Sequence, residues 1–201
     1  MVLSCHRGRP TGVLVLLVAQ SGEDPTDLEK RRRVFLTVNR YPGLTLARLA
    51  READVDESLA RYHVRILEDA KLVRSEEEGG HRRIFPLEKT KAGAADPLDE
   101  RDRQWLALLR RPPILRAVVA LLHEEPMNAG GLAEACGVSR STASHHISRM
   151  EEGEIVAIER DGRSRMISLA DRERVVGLLA EHPPPPDMVQ GFIEAWDDLG
   201  L

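Results

Sequence analysis

Cysteine is nearly absent from this 201-residue chain, with Cys5 and Cys136 the only two. Two thiols cannot build a disulfide framework or a four-thiolate zinc site, and they fit a reducing, cytoplasmic compartment. Aromatic residues are equally scarce at 3%, which argues against a stacking platform for single-stranded nucleic acid. No apolar run approaches the roughly 18–20 residues needed to span a bilayer. Positive charge is not in excess either. Against 29 basic side chains stand 33 acidic ones, a formal net charge of −4, which excludes coating of nucleic acid through bulk charge. A local basic surface is compatible with that balance. Nucleophile-elbow, phosphate-loop and metalloprotease motifs are all missing, so nothing points to an enzyme. What is present is 42% hydrophobic and 31% charged residue, enough for a core, in a length suited to one domain or two small ones.

The first residues read differently from the rest. Arg7 and Arg9 precede an apolar stretch from Val13 to Ala19, followed by Gln20-Ser21-Gly22. That order is similar to a crude signal peptide. It also suits an arm packing on the body or on a second subunit, or the remnant of a membrane segment from a longer parent. We treat 1–26 as an N-terminal arm.

Self-similarity is the most informative property. Shifted by 83 positions, the chain from Arg33 to Leu87 lies over Arg116 to Ala170 without a gap. Identical pairs include Leu49/Leu132, Val55/Val138, Ala60/Ala143, His63/His146, Glu68/Glu151, Gly79/Gly162, Arg82/Arg165 and Ile84/Ile167. Two copies are too few for a solenoid, so each copy is expected to be a small domain with its own core.

Each copy follows one grammar. A first helix carries Val34, Leu36 and Val38, or Val118, Leu121 and Leu122, and a breaker follows at Pro42-Gly43 or Pro126. A short helix comes next, over 46–52 or 131–135, ending in a tight turn at Asp54 or Gly137. Val55 or Val138 plugs that turn, and Asp56 or Ser139 supplies an N-cap oxygen. The next helix turns Ala60, Val64 and Leu67, or Ala143, Ile147 and Met150, toward the core. Two short strands close each copy, with hairpin tips at Gly79-Gly80 and Asp161-Gly162. The expected fold class is mainly α with short β-hairpin wings, an α+β arrangement of two winged helix-turn-helix domains in tandem. The domains are expected at 27–90 and 100–181, with a linker at 91–99.

The stretch from Leu132 to Leu169, LAEACGVSRSTASHHISRMEEGEIVAIERDGRSRMISL, resembles the ArsR/MarR-type winged-helix transcriptional regulators. The stretch from Leu46 to Leu87 resembles the same module. The tandem arrangement is similar to two-winged-helix regulators found chiefly in archaea. The resemblance implies a DNA-binding regulator of transcription, although a fold by itself hosts several jobs.

A helix that enters the major groove needs polar and basic side chains outward and no carboxylate facing phosphate. In the second copy, Ser139 to Met150 contains no acid. Ser139, Arg140, Ser141, Thr142, Ser144, His145 and Arg149 form the candidate reading face. Small hydroxyls permit close approach, while arginine addresses guanine edges or phosphate. The wing adds Arg160, Arg163 and Arg165 where a hairpin would straddle the phosphate ridge. In the first copy, Arg61 and Arg65 on the helix and Arg82 and Arg83 on the wing are the counterparts. That helix opens with Asp56-Glu57 and that wing with Glu76-Glu77-Glu78, which would repel phosphate. The first copy is therefore expected to bind DNA more weakly, or to act as a partner or sensor domain. Lys30-Arg31-Arg32-Arg33 reads either as a second phosphate contact or as a solvated helix face.

Two further apolar segments need cover. The segment from Leu98 to Arg110 reads as an extra helix carrying Trp105, Leu106, Leu108 and Leu109, stopped by Pro112-Pro113. Residues 182–201 combine a stiff Pro183–Pro186 spacer with an amphipathic helix bearing Met188, Val189, Phe192, Ile193, Trp196 and Leu199. Either could dock within the chain or form a homodimer contact. A two-fold dimer would read paired half-sites, and a tandem monomer could use its modules as a pseudo-pair.

ArsR-type regulators often bind metals, yet no metal site or cofactor is expected here. Cys136 stands alone, and His145 and His146 diverge by about 100° on a helix. His63 and His146 share one repeat position, which suggests a common structural hydrogen bond. The competing functional reading is a winged-helix protein-interaction scaffold without DNA binding, similar to the winged-helix subunit of bacterial condensin.

Overall fold

The structure, a computed structural model, describes residues 24–200 apart from 91, 92 and 163. The apolar stretch of the N-terminal arm, Cys5 and Arg163 lie outside the described residues.

The first copy begins with α1, Pro25–Arg40, whose N-cap Asp24 accepts a bond from the Thr26 amide at 2.7 Å. Proline at the first position has no amide to orphan there. Arg31, Val34, Phe35 and Val38 form the inward stripe at helical spacing. Leu36, expected on that stripe, is 41% exposed because it lies about 200° around the helix from Val34. Strand β1, Leu44–Thr45, leads into α2, Leu46–Glu52. Helix α3, Glu57–Asp69, buries Ala60, Val64 and Leu67 as its sequence pattern requires. Asp56 holds the N-cap position of α3, but its side chain makes no capping bond. Strands β2, Val73–Glu78, and β3, His81–Pro86, form the wing. Their cross-strand pairing continues to the tip, with Glu78 opposite His81. Strand β1 adds on the far side of β3.

Strands β4, Glu88–Thr90, and β5, Gly93–Ala95, pair as an antiparallel ribbon where a plain connector was expected. Helix α4, Glu100–Leu109, precedes the second copy, which starts with α5, Pro112–His123. Pro112-Pro113 thus opens a helix as well as ending one. There follow β6, Met127–Asn128, α6, Ala129–Cys136, α7, Arg140–Glu152, and a wing of β7, Val156–Asp161, and β8, Ser164–Leu169. Helix α8, Arg172–Glu181, completes the domain.

The repeat holds at the level of backbone geometry. Asp54 and Gly137 have φ of 52° and 64°, Lys71 and Glu154 of 56° and 55°, Gly79 and Gly162 of 58° and 59°. Each pair is separated by the same 83 residues. The sheet orders β1-β3-β2 and β6-β8-β7 match, and Ser75↔Ile84 recurs as Ile158↔Ile167. The fold is therefore two winged helix-turn-helix domains, α+β, in tandem.

The two copies have separate cores, but they are not loosely strung. Phe85 of the first wing belongs to the core of the second copy, along with Trp105, Leu106 and Leu109 of α4. Gly43 leaves room for that contact, since a Cβ there would meet Phe85 Cε1 at 3.2 Å and the Ala107 amide at 3.4 Å. Trp105 donates from Nε1 to the Gly153 carbonyl at 2.9 Å. The buried Arg103 donates to Glu76 at 2.7 Å, to Asp96 at 2.5 Å and to the Leu98 carbonyl at 2.6 Å. Arg110, with 5% exposure, donates to the carbonyls of Pro42 and His182, each at 3.0 Å. Burial pulls its guanidinium down to about 9. The apolar side of the segment from Leu98 to Arg110 is thereby consumed inside the chain.

The C-terminal segment forms α9, Pro186–Val189, a 3₁₀ turn at Gln190–Phe192, and α10, Ile193–Asp197, in place of one continuous helix. Met188 and Val189 are buried, and Phe192, Ala195, Trp196 and Leu199 pack on the second core. His123 Nε2–H donates to the Ala195 carbonyl at 2.6 Å. Asp187 pairs with Arg48 of α2, so this segment also ties the tail to the first copy.

Candidate nucleic-acid interface

Helix α7 is organised by its first turn. The Ser139 Oγ accepts the Thr142 amide at 3.1 Å and shares 2.8 Å hydrogen bonds with the Ser141 and Thr142 hydroxyls. Such a cap supplies an acceptor to an N-terminal amide that has no partner within the helix. It fixes the start of the helix without placing a carboxylate there. Ala143, Ile147 and Met150 point inward. Arg140, Ser141, Thr142, Ser144 and His145 are exposed together with Ser139, and Arg149 is half-buried. The C-terminal segment docks away from this face, on α5. From Ser139 to Arg149 the outer face of α7 is open and free of acids, and its exposed carboxylates, Glu151 and Glu152, stand at its C-terminal end.

The second wing brings Arg160 and Arg165 directly opposite each other across β7 and β8. Both are exposed. Arg165 also donates to Glu151 of α7 at 3.3 Å, with both side chains half or more exposed. As cross-strand partners Arg160 and Arg165 share one face of the wing, and the Glu151 contact ties that face to the end of α7.

The first copy presents its arginines differently. Arg61 and Arg65 are exposed on α3, but Arg61 is paired with Glu57 one turn earlier at 2.9 Å. Arg82 is committed to Glu68 at 2.5 Å. Arg83, expected to meet phosphate, is 2% exposed and does not reach the surface. It donates to Glu78 at 2.8 Å and to the Gly43 carbonyl at 2.8 Å. The cause is that both faces of β3 are covered, one by its own core and the other by α4, so strand alternation leaves no outward position from Arg83 to Pro86. Burial, offset by Glu78, lowers the Arg83 guanidinium below its ordinary value. Two acids of the stretch Glu76-Glu77-Glu78 serve in docking: Glu76 receives Arg103 of α4, and Glu78 receives Arg111 at the N-cap of α5. Sequence reasoning missed that role, and its one visible signal was the unusual density of arginine at 101–116. Among 30–33, Arg31 is buried and Arg33 pairs with Asp54 at 3.3 Å, so these four do not form one outward patch.

The histidines and Cys136 carry no shared site. His145 and His146 have ring centroids 5.8 Å apart and tilted planes. His63 is fully buried and neither ring nitrogen has a hydrogen-bond partner, so the expected bond common to His63 and His146 is not made there. Cys136 is a buried free cysteine, and burial, opposed by Arg116, raises its thiol above the ordinary value. Among the described residues no three His, Cys, Asp or Glu side chains converge to hold a metal ion. Among them, too, no helix is long and apolar enough to cross a membrane.

A family model described as a helix-turn-helix domain matches the chain twice, over residues 27–76 and 113–159. Both matches fall on the two copies defined by the repeat. The cadmium sensor CMTR of Mycobacterium tuberculosis, solved by NMR, is 31% identical over 37% of this chain and 77% of its own, with a TM-score of 0.34. The DIP2311 protein of Corynebacterium diphtheriae is 21% identical over 70% of this chain, with a TM-score of 0.26. The present chain spans 26% of that protein's length. No curated protein matches the chain.

Proposed function

We propose that this protein, a chain carrying two domains of the helix-turn-helix family, is a sequence-specific regulator of transcription that binds double-stranded DNA. Helix α7 enters the major groove, and the second wing lies on the phosphate backbone. The observation that carries this reading is the solvent-open, acid-free face from Ser139 to Arg149 beside the exposed Arg160–Arg165 pair. Base edges in the major groove are read by short polar side chains and arginine, and phosphates are neutralised by guanidinium groups. Arg163, at the wing tip in sequence, belongs to the same basic set. The second copy is the principal DNA-binding domain. In the first copy, Arg65 and the Glu57-paired Arg61 leave only a weak electropositive surface, and its wing is engaged in docking.

Binding of labelled duplexes from a randomised library tests the reading directly. Selection of a preferred site, with affinity falling as salt rises, is the expected result. Failure to shift any duplex at low salt would favour the protein-interaction reading. Sedimentation of the complex with the selected site would show whether one chain or a two-fold pair occupies it.

A further inference from the structure

The tip of the first wing faces the last turn of α7 in the other copy. A Cβ added at Gly79 would stand 2.9 Å from an Nη atom of Arg111 and 3.2 Å from an Nη atom of Arg149. Two guanidinium groups therefore close on a single point, the place left bare by glycine. Arg83 belongs to the same cluster, because one Glu78 oxygen receives both Arg83 and Arg111. Neither of those bonds reaches Arg149. Arg83 and Arg111 share the Glu78 carboxylate while Arg149 stands beside them without that bond, so guanidinium groups outnumber carboxylates here, and like charges gathered at low solvent exposure call for a counterion. The field of this cluster is felt by its neighbours. After burial and the Glu78 contact, Arg111 and Arg149 push the Arg83 guanidinium down. Burial first, then His145, Arg149 and Arg111, lower His146.

Beside the cluster lies a cleft of about 340 Å³, bordered by Glu78, Gly79, Gln104, Leu108, Arg149 and the exposed Glu152, with Arg111 behind Gly79 at its edge rather than in its lining. Gly79 adds no side chain to it, so Glu78 is the wing's one side chain there. Gln104 adds a neutral amide donor. We propose that this cleft binds a small oxyanion of the phosphate type between Arg149 and Arg111, joining the first wing to the end of the DNA-facing helix. Guanidinium forks match tetrahedral oxyanions with paired, charge-assisted hydrogen bonds. Two sources offer that chemistry: a free small anion, or a backbone phosphate of a bound duplex. The site itself does not depend on the DNA reading.

The test titrates inorganic phosphate into the full chain without DNA, at constant ionic strength balanced with chloride, and reads heat and Tm. Saturable one-to-one binding is expected. Arg149→Gln should weaken it on the order of tenfold, with circular dichroism confirming an intact fold. Glu78→Gln keeps the side-chain shape but removes the competing charge, and it should tighten binding. A phosphate effect no larger than that of chloride, one unchanged by Arg149→Gln, or one weakened by Glu78→Gln in a folded protein means an adventitious ion only and overturns the site. Repeating the titration with a bound duplex separates the sources. Competition identifies a backbone phosphate as the occupant, whereas unchanged or raised duplex affinity identifies a free anion.

Discussion

Arg165 of the second wing is 3.3 Å from Glu151 at the end of α7, and Arg82 of the first wing is 2.5 Å from Glu68 at the same place on α3. Both pairs consist of residues that are identical between the copies. The repeat thus preserves an ion pair that ties each wing to the helix before it. In the second copy it is solvent-exposed, so it contributes little to stability, about 0.2–1 kcal/mol, and mainly restrains a cation that faces outward.

Releasing that cation has a measurable sign. Glu151→Gln is expected to raise affinity for all duplexes and to steepen the dependence of binding on salt by about one phosphate contact. Tm should move little. Anisotropy titrations across a salt series check both statements, and an unchanged slope would show that Arg165 does not meet phosphate.

Arg140 and Arg160 should fail differently. Arg140→Ala is expected to lose about 1–3 kcal/mol on the selected site and to relax preference at one base position. Arg160→Ala should weaken every sequence alike and reduce the salt slope by about 1. Competition binding with single-base variants of the site distinguishes the two patterns.

His63 makes the first copy sensitive to acid. Burial, followed by the charges of Arg31 and Lys30 and opposed by Asp27, holds its imidazole below the ordinary value of 6.5. The folded state therefore binds fewer protons than the unfolded chain between that lowered value and about 6.5. Stability rises with pH through this window and is lost as pH falls below about 6.5. His63→Leu should flatten the lower end of the curve in urea titrations between pH 5 and 8. A pH dependence identical to that of the unmodified protein would remove His63 from this role.

Arg103 is the fastening between the first wing and α4. It is buried and bonded to Glu76, Asp96 and the Leu98 carbonyl. Arg103→Ala is expected to lower stability by about 2–4 kcal/mol by leaving two carboxylates with reduced partnership. Arg103→Lys should recover only part of this, because an ammonium cannot fork to three acceptors in one plane. Equilibrium denaturation gives both numbers.

Much of the fold was readable before any coordinates. The 83-residue register predicted matching helices, turns and hairpins, because left-handed positions such as Asp54 and Gly137 and inward stripes such as Ala143, Ile147 and Met150 are local properties. The open face of α7 was readable for the same reason: once those three residues turn inward, helical geometry sends Arg140, Ser144 and His145 out. Leu36 was misplaced because apolarity alone does not specify which of two neighbouring stripes is buried. The C-terminal helix was read as continuous, yet it bends into three short turns to lay Met188 and Val189 into the second core.

What the order of amino acids determined by itself is therefore the module, its duplication and the composition of the outer face of α7, all of which follow from spacings of a few residues. Only the tertiary structure decided what the first wing does. Arg83 and Phe85 look like ordinary wing residues until α4 covers the second face of β3, and Glu76 and Glu78 look repulsive to DNA until Arg103 of α4 and Arg111 at the start of α5 meet them. Burial and ion pairing between residues roughly 30 positions apart are properties of packing, and no short-range pattern encodes them.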